Sequence, residues 1–184
     1  MRFWLLVCLH CLLPSLSNPA QILDRRKMKP CQFNPSCFCS NSGEDLGAVD
    51  CTEVPMADLP PQLENTRVFA LTLAGNGLRK FPVGKLRDMG ETNMIISTSN
   101  TSTTTNHCTG AWSLEISNNH LNSIPSLAFS GLERSLWCLV LKQNMFTRIP
   151  SDSISRLEKL NHLDLSGQSQ CHCHFLSVTV TFSH

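Results

Sequence analysis

Apolar residues recur along this chain in a fixed frame. Three stretches align on one another: "VFALTLAGNGLRKFP" (Val68 to Pro82), "AWSLEISNNHLNSIP" (Ala111 to Pro125) and "LWCLVLKQNMFTRIP" (Leu136 to Pro150). A fourth begins at "LNHLDLSGQ" (Leu160 to Gln168). The shared pattern is L-x-x-L-x-L-x-x-N-x-L-x-x-I-P. Pairs such as Leu71 and Leu73 alternate with period two, which predicts a short strand buried on one face. Asn76, Asn119 and Asn144 follow the alternation at a fixed distance. An Asn there turns the chain off the strand, and its amide can satisfy backbone groups that the turn would leave buried and unpaired. Phe81, Ile124 and Ile149 each precede a proline. Leu86, Phe129 and Ile154 lie five residues beyond them, and Met89, Leu132 and Leu157 lie eight beyond.

One such unit cannot bury its own apolar edge, so the units must stack. The pattern is that of a leucine-rich repeat, and the expected fold is an α/β solenoid with short parallel strands lining its concave face. The frame turns alternate strand positions outward: Ala70, Thr72 and Ala74; Ser113, Glu115 and Ser117; Cys138, Val140 and Lys142; His162, Asp164 and Ser166. A solenoid binds through this face, which makes Thr72, Glu115, Ser117, Lys142, His162 and Asp164 the candidate contact residues. The Leu, Ile and Asn of the frame are read as core and turn.

The frame is broken twice. Asn76 and Asn119 are 43 residues apart, whereas Asn119 and Asn144 are 25 apart. The added segment, about residues 91–110, is rich in Thr, Ser and Asn and carries no repeat pattern; it reads as a surface loop or as translated intron. It contains the glycosylation acceptor Asn100-Thr101-Ser102. At the other break Gln168 takes the place of the Asn. Gln is a methylene longer and is not expected to seat in the same turn. The tail 169–184 follows neither the repeat nor a capping flank, so Leu160, Leu163 and Leu165 are expected to have a neighbour on one side only.

Ahead of the ladder, Cys31, Cys37, Cys39 and Cys51 form a dense cluster. It stands where a stack needs its first strand edge and its open core covered. Four cysteines allow three connectivities. Zinc is the other use for such a cluster, but it lacks a paired C-x2-C arrangement. The resulting organisation is a signal segment 1–17, a linker 18–30, a cysteine-rich flank 31–67, repeats over 68–168 and a non-repeat tail 169–184.

Composition changes the picture in two ways. "MRFWLLVCLHCLLPSLS" has a short positive start, an apolar run, a breaking proline and small residues near Ser17, which reads as a signal peptide cleaved after Ser17 or Asn18. The run is too short to cross the roughly 30 Å of bilayer hydrocarbon. A secreted chain suits the ten cysteines, of which Cys8 and Cys11 leave with the signal, while Cys108, Cys138, Cys171 and Cys173 lie scattered beyond the flank. The formal net charge of +1 gives no reason to expect nucleic acid or an anionic membrane surface as partner. No catalytic motif is present, and the histidines, His120 and His162 among them, are not paired with a nucleophile at a known spacing. "CHCH" (Cys171 to His174) alternates its ligand types, so in an extended strand they point to opposite faces and do not build one tetrahedral metal site. No enzyme, metal or cofactor is expected.

The stretches "CFCSNSGEDLGAVDCTEVPMADLP", "RVFALTLAGNGLRKF", "LEISNNHLNSIPSLAFSGLERSLW" and "IPSDSISRLEKLNHLDL" are more specific than the repeat frame. They resemble the N-terminal part of the chaoptin family, from about Cys31 to Leu165. "FSGLERSLW" (Phe129 to Trp137) is the most telling, because the repeat alone does not demand it. The resemblance implies a glycosylated, lipid-anchored photoreceptor surface protein that acts in homophilic cell adhesion. Likeness to the N-terminal flanks of extracellular leucine-rich proteins implies the pairing Cys31–Cys39 and Cys37–Cys51. Chaoptins carry many more repeats than this chain. The alternatives to adhesion are a truncated, non-adhesive product and a generic ligand-binding module.

Overall fold

A computed structural model describes residues 25–63, 66–86, 112–168 and 179–181. The signal segment and the segment 91–110 with Asn100 lie outside the described residues, as do Cys171 to His174. The described residues form one sheet with strands in sequence order: β1 Lys29–Pro30, β2 Phe38–Cys39, β3 Asp45–Asp50, β4 Arg67–Thr72, β5 Trp112–Glu115, β6 Leu136–Val140, β7 His162–Asp164 and β8 Thr179–Thr181. From β3 to β7 neighbouring strands are parallel. At each end the pairing turns antiparallel: β1 with β2, β2 with β3, and β7 with β8. The chain is a parallel-strand solenoid, as the periodicity implied.

Alternation places the inward row as read. Leu71, Leu114, Leu139 and Leu163 are in register across the sheet and are buried. Leu86, Phe129, Leu132 and Leu157 close the opposite side of the same core, with Ile154 partly buried against it. Phe81 and Phe129 meet edge to face with centroids 5.1 Å apart, which joins the first and second repeats. Ile149 departs from its counterparts: Phe81 and Ile124 are buried, whereas Ile149 is 45% exposed.

The ladder starts earlier than the frame suggested. β3 pairs parallel with β4, and the residues after it follow the same course as a repeat. Cys51 N donates to Thr72 O as Leu73 N does to Glu115 O, Ile116 N to Val140 O and Leu141 N to Asp164 O, all within 2.8–2.9 Å. Two residues on, Glu53, Gly75, Asn118 and Gln143 repeat the pattern toward Ala74, Ser117, Lys142 and Ser166. Each of these four, and Gly167 in the last unit, has a positive φ, between 52° and 71°. The turn needs a left-handed residue at this point, which Gly and Asn adopt most readily. The flank therefore ends in a unit built like a repeat, with Val54 where the later units have Asn.

Two disulfides hold this flank: Cys31–Cys39 and Cys37–Cys51. That is the pairing implied by the likeness to extracellular flanks. The first staples β2 to the residue that follows β1, and the second staples the approach to β2 onto the end of β3. Gly47 sits at an irregularity of β3 with φ 67°, where a Cβ would collide with Ser40 Oγ. Ser40 Oγ instead accepts from Ala48 N at 2.9 Å. Lys85 of the first repeat reaches back to Asp58 of the flank at 2.9 Å. Part of the expected linker belongs to this cap, since Arg25–Lys27 form a 3-10 turn and Lys29–Pro30 form the edge strand. A two-residue edge with a lysine and a proline, which has no N–H to donate, is a poor template for a further strand.

Two expectations for the far end are corrected. The edge of β7 is not open: His162, Leu163 and Asp164 pair with Thr181, Val180 and Thr179. Leu160, Leu163 and Leu165 are accordingly buried. Gln168, expected not to fit the turn, is seated in it. Its amide nitrogen donates to Leu141 O and Leu165 O, both at 3.0 Å, and its oxygen accepts from Phe146 N at 3.2 Å. Asn144 makes the corresponding contacts one repeat earlier, to Ile116 O, Leu141 O and Leu121 N. The extra methylene is absorbed by the side chain's added torsion, so the polar end reaches the same backbone groups.

Candidate functional site

The strand register assembles the candidate face into rows. Ala48, Ala70, Ser113, Cys138 and His162 form one row. Asp50, Thr72, Glu115, Val140 and Asp164 form the next. Adjacent strands lie about 4.8 Å apart, so Glu115 has an acid roughly 10 Å away on either side, two strands off. Ala74, Ser117, Lys142 and Ser166 follow just past the strands. The six candidate residues therefore do share one surface of the sheet.

That surface is largely buried, although the frame turns it outward. Glu115, Ser117, His162 and Asp164 are buried, while Thr72 and Lys142 are half-buried. Alternation decides which face a side chain takes, not whether the face is open. Cys138, in the middle of the face, is 2% exposed and disulfide-bonded, while the other four cysteines of the described residues pair among themselves. His162 lies in the row of Cys138, and Glu115 and Asp164 lie in the row beside it. Nothing in the repeat frame separates a bonded Cys138 from a free one, so sequence reasoning had no signal for it.

Burial has an electrostatic consequence at Glu115. Desolvation pushes its carboxyl above the usual range; Ser117 and Lys142 pull it back only in part, and the like charges of Asp50 and Asp164 add to the rise. The row thus couples three acids through the sheet, with Lys142 as the nearby cation. Among the described residues no group of three or more His, Cys, Asp or Glu is arranged to hold a metal ion.

The repeat asparagines are not equivalent. Asn119 donates from its amide to Leu73 O at 2.7 Å and Ser117 O at 2.9 Å, and accepts from Asn76 N at 3.1 Å and Leu78 N at 2.9 Å. Asn119 and Asn144 thus tie their own turns to the turn before. Asn76 is equally buried, yet its side-chain nitrogen and oxygen have no hydrogen-bond partner. The unit before it is the flank, where Met56 N, the counterpart of Leu78 N, donates to the backbone oxygen of Asn76 instead of its side chain.

Residues 112–169 match the leucine rich repeat family. Chaoptin of Drosophila melanogaster is 42% identical over 136 residues, which cover 74% of this chain. This is a chaoptin-like leucine-rich repeat protein. The chain spans only 9% of the length of that relative. The family match begins at β5 and takes in the second, third and fourth repeats, including the unit in which Gln168 replaces Asn. No helix among the described residues is long and apolar enough to cross a membrane.

Proposed function

We propose that this chaoptin-like protein is an extracellular recognition module that serves cell adhesion, with a second copy of itself as partner. The observation that carries the reading is the 42% identity to chaoptin over 136 residues, on a fold whose cap is closed by two disulfides. Disulfides of this kind persist in oxidising compartments, which supports a secreted or cell-surface location. A lipid-anchored, glycosylated surface protein of photoreceptors is the setting that the family resemblance suggests. Recognition of a protein, rather than catalysis, is the activity proposed.

The contact is assigned to the strand face, entered at Thr72 and Lys142, its half-buried residues. Lys142 would meet a carboxylate of an opposing copy, a pairing that gives specificity more than raw affinity. The test is clustering of beads coated with the chain. Wild-type beads should aggregate, and Lys142→Glu beads should not aggregate with one another. Beads of wild type that stay dispersed would remove the homophilic reading, and unchanged clustering by Lys142→Glu would remove the strand face from it.

A further inference from the structure

The net charge of +1 conceals a local concentration. Arg25, Arg26, Lys27 and Lys29 occupy four of five consecutive positions at the start of the cap. Arg25–Lys27 form a 3-10 turn with no buried residue, and Lys29 is exposed on edge strand β1. At about 2.0 Å per residue in the turn and 3.3 Å in the strand, the run spans roughly 10 Å.

The run is fixed to the cap. Arg25 holds the turn: its guanidinium lies 4.4 Å over the Phe38 ring and its Nε is 3.6 Å from Asp50 Oδ2. Met28 N closes the turn onto Arg25 O at 3.2 Å. Immediately beyond Pro30, Cys31 is bonded to Cys39. Arg26, Lys27 and Lys29 are therefore presented from a turn and a strand that are anchored covalently on one side and electrostatically on the other. Binding a flexible ligand to such a site costs less ordering than binding it to a loose tail.

We propose that this edge binds a sulfated glycosaminoglycan chain. A short linear run of cations fits a linear polyanion, and basic runs of this length mark nucleic-acid or heparin-type ligands. The choice of a sulfated glycan rests on the extracellular location argued above, where nucleic acid is not the expected polyanion. A lipid surface fits less well. The large hydrophobics exposed among the described residues are Val83, Leu127 and Ile149, all in the repeats and none beside the run. Neither the repeat frame nor the strand face contributes to this site.

The experiment uses the full chain, with heparin, chemically desulfated heparin and phosphatidylserine vesicles as probes. Wild type should bind heparin at roughly physiological ionic strength and be released by salt, as screening of charge contacts requires. The triple variant Arg26→Ser, Lys27→Ser, Lys29→Ser should bind heparin at least about tenfold more weakly, and its salt dependence should flatten by roughly one counterion per lost contact. Its disulfides and its behaviour in bead clustering should be unchanged, which separates this site from the adhesion reading. Equal heparin binding by the triple variant would overturn the proposal. So would equal binding to desulfated heparin, or vesicle binding as tight as heparin binding, which would point to an anionic membrane instead.

Discussion

Asn119 and Asn76 hold the same place in the repeat frame and are both buried, at 5% and 3% exposure. Their replacement by Ala should nevertheless give different results. Asn119→Ala removes four hydrogen bonds of 2.7–3.1 Å to backbone groups in the core of the turn. Each such bond contributes about 0.5–1.5 kcal/mol net, and a buried group left unpaired costs more, so a loss of about 4 kcal/mol is expected. That is a large part of the roughly 5–15 kcal/mol that holds a typical domain together. Asn76→Ala deletes the same atoms from an equally buried site but breaks no side-chain hydrogen bond. The packing loss is common to both, so the difference between the variants isolates the bonds. Urea unfolding followed by the fluorescence of Trp112 and Trp137 measures it. At a typical slope of about 1–3 kcal/mol per molar urea, the Asn119 variant should unfold at a midpoint lower by a molar or more, with Asn76→Ala close to wild type. Equal midpoints for the two variants would refute the idea that the ladder's stability lies in hydrogen bonds between repeats.

Gln168→Leu should cost about 2–3 kcal/mol in the same assay, because it strips bonds to Leu141, Leu165 and Phe146 from a buried site, whereas Gln168→Asn should cost less; no effect of the Leu variant would mean that the side chain does not close the last turn. Glu115 has its pKa raised by burial above the ordinary 4.5, so the folded state binds this proton more tightly than the unfolded state does. Its contribution is present below the unfolded value and is lost as pH rises through the raised folded value. Melting temperatures taken from pH 4 to 8 should therefore fall less steeply for Glu115→Gln than for wild type across that window, and parallel profiles would refute the assignment. Replacing both Cys37 and Cys51 by Ser, residues 14 apart in sequence, should cost about 3 kcal/mol by unfolding in urea, and an unchanged midpoint would show that the cap does not stabilise the repeats.

The repeat core was legible because each of its positions obeys a local rule. Leu71, Leu114, Leu139 and Leu163 fall in one inward row because strand residues alternate, and no tertiary detail can shift them without turning every neighbour around. Three features were not legible, each for a different reason. Val54 masks the unit at the end of the flank, because the frame was keyed on Asn and the flank makes its turn without one. Gln168 failed a test of side-chain length that ignored the reach of a flexible amide. The burial of the strand face was hidden because pattern gives direction and not covering. The Asn76 side chain is the reverse case: it matches the frame but lacks the bonds that the frame was thought to guarantee.

What propagates through the array is backbone register, and spacing in sequence matters little to it. The step from Asn76 to Asn119 is 43 residues and that from Asn119 to Asn144 is 25, yet the ladder bonds at both junctions have nearly the same length. Loop-closure entropy explains the tolerance, since doubling a connection costs only about 0.6 kcal/mol, less than a single lost hydrogen bond can cost. The ends are governed by a different rule. A parallel strand leaves an edge on which another parallel strand can add, and repetition alone gives no reason to stop. Both ends of this ladder change the pairing to antiparallel, through β2 against β3 and β8 against β7. In a longer array the outer edge of β7 would carry the next repeat strand; here Thr179 to Thr181 occupy it. At the N-terminal end the change of direction is locked by disulfides and followed by a two-residue edge of Lys29 and Pro30. Protection against edge pairing is thus built into the same few residues that carry the basic run, so a charge cluster read only as edge protection and one read as a glycan site predict different outcomes for Lys29→Ser alone. Edge protection predicts concentration-dependent association of that variant, and a glycan site predicts weaker heparin binding by a protein that stays monomeric.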